Sequence, residues 1–178
     1  FAVVHQFSSS EYPGYLAVAP DGNLYGSNFN GGSENVGALF KFDIATLQYT
    51  VLQNFSSLSD GSYPQNIVWF DGAFYGTTSY NGPFDGGTLF KLEYPSDVFS
   101  VVANFMEANQ PRSLSLHSNG NFYGMCARPN GDPAGGIFEF ALDEEEPTVI
   151  HTFQNKNNGF NPFGSMLQST DGSIYGLS

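Results

Sequence analysis

Arg112 and Arg128 are the side chains best suited to chemistry with a charged ligand, because each guanidinium presents a planar fork of donors that grips a carboxylate or sulfate through two parallel hydrogen bonds. Between them lies Asn119-Gly120, a hairpin signal expected to fold the chain so that both arginines reach one face. With His117 in the same stretch, the pair is the candidate site for an anion or an acidic sugar. The competing reading is internal pairing with Glu107 or Asp132, which neutralises both cations and leaves a structural feature in place of a site.

Other reactive residue types lack partners at useful spacing. His5, His117 and His151 do not cluster as metal ligands do, and His5 and His151 occupy the same place in two similar strand-like runs. Cys126 has no accompanying His or Asp pattern for nucleophilic attack and reads as an inert, half-buried thiol. The recurring Asp-Gly pairs are hairpin signals before they are calcium ligands, since calcium needs several spaced oxygens. Glu144, Glu145 and Glu146 read as a solvated acidic turn, and no two acids are placed on facing strands for glycoside chemistry. The expectation is therefore no catalytic residue, no metal and no cofactor. Asn54-Phe55-Ser56 is an N-glycosylation acceptor sequence at the outer end of a strand, relevant only in a eukaryotic host.

The elements that would hold these residues come from an internal repeat. Asp21-Gly-Asn-Leu-Tyr25-Gly, Asp71-Gly-Ala-Phe-Tyr75-Gly, Asn119-Gly-Asn-Phe-Tyr123-Gly and Asp171-Gly-Ser-Ile-Tyr175-Gly place the tyrosines 50, 48 and 52 residues apart. The first three are followed by a Gly-rich loop and then by Ala38-Leu-Phe-Lys-Phe42, Thr88-Leu-Phe-Lys-Leu92 and Gly136-Ile-Phe-Glu-Phe140. Runs at 2–7, 50–55, 100–105 and 148–153 precede the units and end in Phe7, Phe55, Phe105 and Phe153. A proline (Pro13, Pro64, Pro111, Pro162) then opens an apolar segment that enters the next Asp/Asn-Gly turn. Alternation of apolar and polar residues makes each segment a strand, giving four per unit, designated A to D. Four short antiparallel strands in about 50 residues predict a β-propeller blade. The fold class is all-β, with about 3.5 blades in residues 1–178, units starting near 21, 71, 119 and 171, and almost no helix.

The strings Asp-Gly-x-x-Tyr-Gly-Thr-Thr, Gly-Gly-Thr-Leu-Phe-Lys-Leu and Val-x-x-Asn-Phe resemble the GloVer (Gloeo/Verruco) tandem repeat, best in the second unit. The third unit departs from it, with Gly124-Met125-Cys126 and Gly136-Ile-Phe-Glu139 in place of the usual strings. The resemblance implies propeller architecture and an extracellular or cell-surface setting, since that family occurs mainly in large secreted or surface-anchored proteins. It carries over no catalytic residue.

Strand order yields D, three sets of A-B-C-D, then A-B, so a closed ring would lack one strand C and the chain is expected to be part of one larger propeller domain, beside further blades of the same polypeptide. Recurring positions are expected to be core: Tyr25, Tyr75, Tyr123 and Tyr175 between blades, with Phe7, Phe55, Phe105 and Phe153. Function is expected where units differ. D-to-A and B-to-C connections emerge on one face, at residues 27–37, 56–63, 78–87, 127–135 and 154–161, and are long and variable. A formal charge of -12, from 17 acidic and 5 basic side chains, excludes nucleic acid as a natural partner. No apolar run is long enough for a membrane helix. The leading expectation is a non-catalytic extracellular scaffold or platform whose partners are polysaccharide or surface proteins. A polysaccharide-active propeller enzyme and a surface-filament building block are the alternatives.

Overall fold

The computed structural model describes residues 2–106, 109–129, 132–154 and 162–177. Three meandering four-stranded antiparallel sheets follow one another along the chain. The first contains β1 (Pro13–Val18), β2 (Leu24–Asn28), β3 (Ala38–Asp43) and β4 (Gln48–Asn54). The second contains β5 (Ser62–Phe70), β6 (Ala73–Tyr80), β7 (Thr88–Glu93) and β8 (Phe99–Asn104). The third contains β9 (Ser115–Leu116), β10 (Phe122–Cys126), β11 (Gly136–Phe140) and β12 (Thr148–Thr152), and a two-stranded sheet of β13 (Leu167–Gln168) and β14 (Ile174–Tyr175) follows. Successive A strands touch, β1 against β5 and β5 against β9, whereas the D strands do not approach one another closely. The sheets therefore radiate from a line along their A strands, as propeller blades do.

Two recurring sequence features explain each other once the register is known. Gly26 pairs with Phe40, Gly76 with Phe90 and Gly124 with Phe138, across strands B and C. A Cβ on Gly26 or Gly76 would lie 2.5 Å from the ring of Phe40 or Phe90, and one on Gly124 would collide with Phe138. The Tyr-Gly step thus clears the space that the strand C phenylalanine fills. Each such ring then receives the phenylalanine that ends the preceding D run, with centroids 5.5 Å apart for Phe7–Phe40, 5.2 Å for Phe55–Phe90 and 4.8 Å for Phe105–Phe138. The tyrosines interlock the blades in a second layer. Tyr25 stacks on Phe74 of the next sheet at 4.5 Å and Tyr75 meets Phe122 at 4.9 Å.

The hairpins use two geometries. Asp71 and Gly72 both have positive φ, 43° and 79°, which is the two-residue turn that matches strand twist. In the first, third and fourth units only the glycine is left-handed, and the carboxylate or amide oxygen of Asp21, Asn119 or Asp171 accepts from the backbone two residues on, at 2.9 to 3.0 Å. Those loops hold one residue more.

Residues 2–7, expected as a D strand, form no strand. Each D strand seen here pairs with strand C of its own sheet, and among the described residues no strand C lies beside this segment. Its side chains instead cover part of the first sheet, with His5 stacked on Tyr49 at 4.2 Å. Between them lies an apolar groove of about 330 Å³ lined by Val4, Phe7, Leu16, Leu24, Phe40 and Phe42.

Candidate functional site

The two ends of the blades differ in construction. At the turn end, A–B and C–D connections are short and their asparagines and aspartates close on their own backbone. At the loop end, neighbouring units knit together through backbone hydrogen bonds: Tyr63 N donates to Val36 O at 2.7 Å, Gly82 N to Ser57 O at 2.9 Å, and Gln110 N to Gly86 O at 3.2 Å. Acidic side chains tie the loops further. Asp60 Oδ2 accepts from Gln53 Nε2 at 3.0 Å and Ser56 N at 3.1 Å, and Glu34 Oε2 accepts from Ser57 N at 3.2 Å. The long connections are thus built to hold a shape, and side chains on their outer surface stand on fixed backbone.

One position shows how the units diverge beneath these loops. Asn28, Thr78 and Cys126 share a register near the loop end of strand B, and all are fully buried. Asn28 bonds Glu11, Thr78 shares a hydrogen bond with Thr88 at 2.8 Å, and burial pushes the Cys126 thiol up to about 12. At neutral pH that keeps the thiol protonated, and its burial shields it from solvent.

The two arginines lie on the paired backbone at the start of the third blade. Arg112 N donates to Met125 O at 2.8 Å and Arg128 N to Asn109 O at 3.3 Å, on either side of the Pro111–Cys126 pair. They stand three register steps apart, about 10 Å along the strand direction, and are not direct cross-strand neighbours. Arg128 is exposed and Arg112 half-buried. Asp132 does not bridge them: its Oδ1 accepts from Ala134 N at 2.9 Å, and among the described residues it makes no ion pair with Arg128. Glu107, the other acid expected there, lies outside the described residues, as does most of the 154–161 connection.

His117 is not with them. It sits at the turn end of the third blade, 7% exposed, with its ring 4.6 Å from that of Tyr123 and its Nε2 buried without a hydrogen-bond partner. Burial holds its imidazole below the ordinary histidine range. Glu139 is close by; its carboxylate accepts from the Tyr123 hydroxyl and from Asn121 Nδ2, bonds that hold it below the usual carboxylate range and push the Tyr123 phenol up. The corresponding residues of the first two units are Lys41 and Lys91, paired with Asp21 at 4.0 Å and Glu93 at 2.8 Å. The lysine-to-glutamate change was visible in the sequence, but that it gathers His117, Tyr123 and Glu139 required the register.

The repeat residues occupy one register. Tyr25, Tyr75 and Tyr123 are 1%, 4% and 9% exposed, and Tyr175, on the two-stranded sheet, is 61% exposed. The Tyr25 hydroxyl donates to Asp97 Oδ1 at 3.2 Å in the next blade. Phe55 and Phe105 are each 1% exposed, while Phe153 is half-buried beside Met125, Ile137 and Met166. Asn54 is exposed at the end of β4, its Oδ1 accepting from Ser33 N at 3.0 Å. Glu144, Glu145 and Glu146 are exposed in the turn between β11 and β12. Among the described residues no three His, Cys, Asp or Glu side chains gather as a metal site would require, and no helix is long and apolar enough to cross a membrane.

Sequence reasoning missed an aromatic row at the loop end. Phe29 stacks on Tyr63 with centroids 4.8 Å apart and planes inclined by 23°, and Tyr63 meets Tyr80 edge-on at 5.8 Å. Phe29 follows β2, Tyr63 lies near the start of β5 and Tyr80 ends β6, so no local pattern announces them.

Radial four-stranded blades with a shared core and a divergent loop end define a repeat protein of the β-propeller class. The Gloeobacter/Verrucomicrobia repeat matches residues 1–178, and the chain belongs to that family. No curated protein matches it. Among solved structures it is similar to the extracellular domain of a one-component system from B. thetaiotaomicron, at 12% identity and a TM-score of 0.64 over 93% of this chain and 20% of that one. It is similar also to streptogramin B lyase, at 12% identity and a TM-score of 0.65 over 96% of this chain and 50% of that one. TolB from Acinetobacter baumannii, at 18% identity and a TM-score of 0.58, is covered over 38% of its length by 94% of this chain. The chain thus spans half the length of these proteins or less, and at such identities the likeness is one of fold.

Proposed function

We propose that the chain is a non-catalytic β-propeller repeat module that works outside the cell or at its surface as a glycan-binding platform. The observation that carries this reading is the contrast between blades that repeat one core and a loop end at which every unit differs, held in shape by backbone bonds between units. Family membership and the likeness to an extracellular domain support the setting. Leu16 and Val18 of β1 are 60% and 62% exposed on a sheet face of the kind that a neighbouring blade covers in the second and third sheets, which supports further blades of the same polypeptide as partners within one domain.

In this reading Arg112 and Arg128 are separate cationic contacts for an acidic glycan rather than one bidentate clamp. The test is a calorimetric titration with uronate-containing oligosaccharides, comparing the parent with Arg112→Ala plus Arg128→Ala. The expected result is binding by the parent and a loss of about tenfold or more in the variant, since a hydrogen bond to a charged group contributes about 1.5–3 kcal/mol. Equal binding by both, or none by the parent, removes the arginines from the reading.

A polysaccharide-active enzyme is the second reading, kept because the same fold carries enzymes such as streptogramin B lyase. Release of reducing or unsaturated ends from a polysaccharide panel by purified protein would establish it.

A further inference from the structure

Phe29, Tyr63 and Tyr80 form one continuous aromatic surface at the junction of the first and second blades, beside the line of A strands. Phe29 and Tyr80 remain 38% and 40% exposed, so ring faces stay open to solvent. Tyr63 sits at φ 61°, a left-handed conformation that a bulky aromatic residue rarely adopts. It is held there by its own N–H to Val36 O at 2.7 Å and by Gln65 Nε2 donating to its carbonyl at 3.0 Å. The same left-handed backbone recurs at Gln110, the equivalent position of the third unit, so the repeat sets this conformation and the aromatic side chain is what distinguishes the second unit.

The polar surroundings narrow the ligand class. The three connections that carry the row, residues 27–37, 56–63 and 78–87, contain Glu34, Asp60 and Asp85 and no lysine or arginine. An anionic ligand would meet repulsion here. A neutral sugar fits on both counts: the C–H face of a pyranose ring is electropositive and lies on the negative face of an aromatic ring, while its hydroxyls donate to carboxylates and amides at the rim.

We propose that Phe29, Tyr63 and Tyr80 are a stacking platform for the pyranose rings of a neutral polysaccharide. The proposal deepens the glycan-binding reading and rests on it, but it moves the principal contact from the arginines of the third blade to the junction of the first two.

The third unit supplies folding-compatible substitutions. Ala127 stands at the register of Phe29, and Gln110, with φ 52°, at that of Tyr63. Affinity electrophoresis in gels of neutral glucan, mannan and xylan and of a polyuronate would compare the parent, Phe29→Ala plus Tyr63→Gln, Tyr80→Ala, and Arg112→Ala plus Arg128→Ala. Thermal unfolding would check that each is folded. The expected result is retardation of the parent in at least one neutral gel, a loss of about tenfold in affinity in both aromatic variants, and no change in the arginine variant. No retardation in any neutral gel, or equal retardation in the aromatic variants, overturns the proposal. Self-association of the parent abolished by the aromatic changes overturns it too, making the row a protein contact. Retardation only in polyuronate, lost in the arginine variant, overturns it while leaving the glycan-binding reading intact; no retardation in any gel removes both.

Discussion

His117 lies in a part of the third blade where its neighbours in the repeat register, Ala19 and Phe70, cannot ionise. Burial keeps its imidazole neutral in the folded chain, so its pKa there is depressed below that of the unfolded chain. The unfolded state then binds more protons as the pH falls below about 6.5, and stability is lost over that window. Above it the contribution is fully present. His117→Phe, which installs the residue of the second blade, is expected to flatten the acid side of a plot of melting temperature against pH. An unchanged slope would mean that Glu139 already compensates the charge. Gly76 supplies a second test at this scale. Gly76→Ala puts a methyl group against Phe90, itself fully buried, and should cost about 1–3 kcal/mol in urea denaturation. A neutral effect would show that the Tyr-Gly step is not there to clear space for the strand C ring.

At the scale of elements, much was written in the repeat. Period-two alternation with Gly-rich loops before it marked the C strands to within one residue, because each is short, aromatic and bounded by turn chemistry. What escaped was whatever depends on a partner elsewhere in the chain. Residues 2–7 have the pattern of a D strand but, among the described residues, no strand C to pair with, and alternation cannot report a missing neighbour. The arginines flank a correctly read hairpin, yet their separation of three register steps was set by which residues pair, which the sequence does not state. The row of Phe29, Tyr63 and Tyr80 was hidden for the same reason. A stability series tests the element account. Phe105→Ala removes a ring that closes the junction of the second and third blades and should cost about 3–5 kcal/mol, whereas Phe153→Ala, only half-buried, should cost clearly less.

At the largest scale the described blades form an arc in which each sheet packs against its sequence neighbours, so stability is a sum of blade and junction contributions and the loop end can diversify without disturbing the core. The central claim is that this loop end, and not the turn end, is the binding surface. Amide hydrogen exchange read by mass spectrometry, with and without a saturating polysaccharide identified by affinity electrophoresis, tests it most directly. The account predicts added protection in peptides covering residues 27–37, 56–63 and 78–87, with peptides over the hairpins at 19–23, 71–72 and 118–121 unchanged. Protection confined to those hairpins, or spread evenly over both ends, would contradict it.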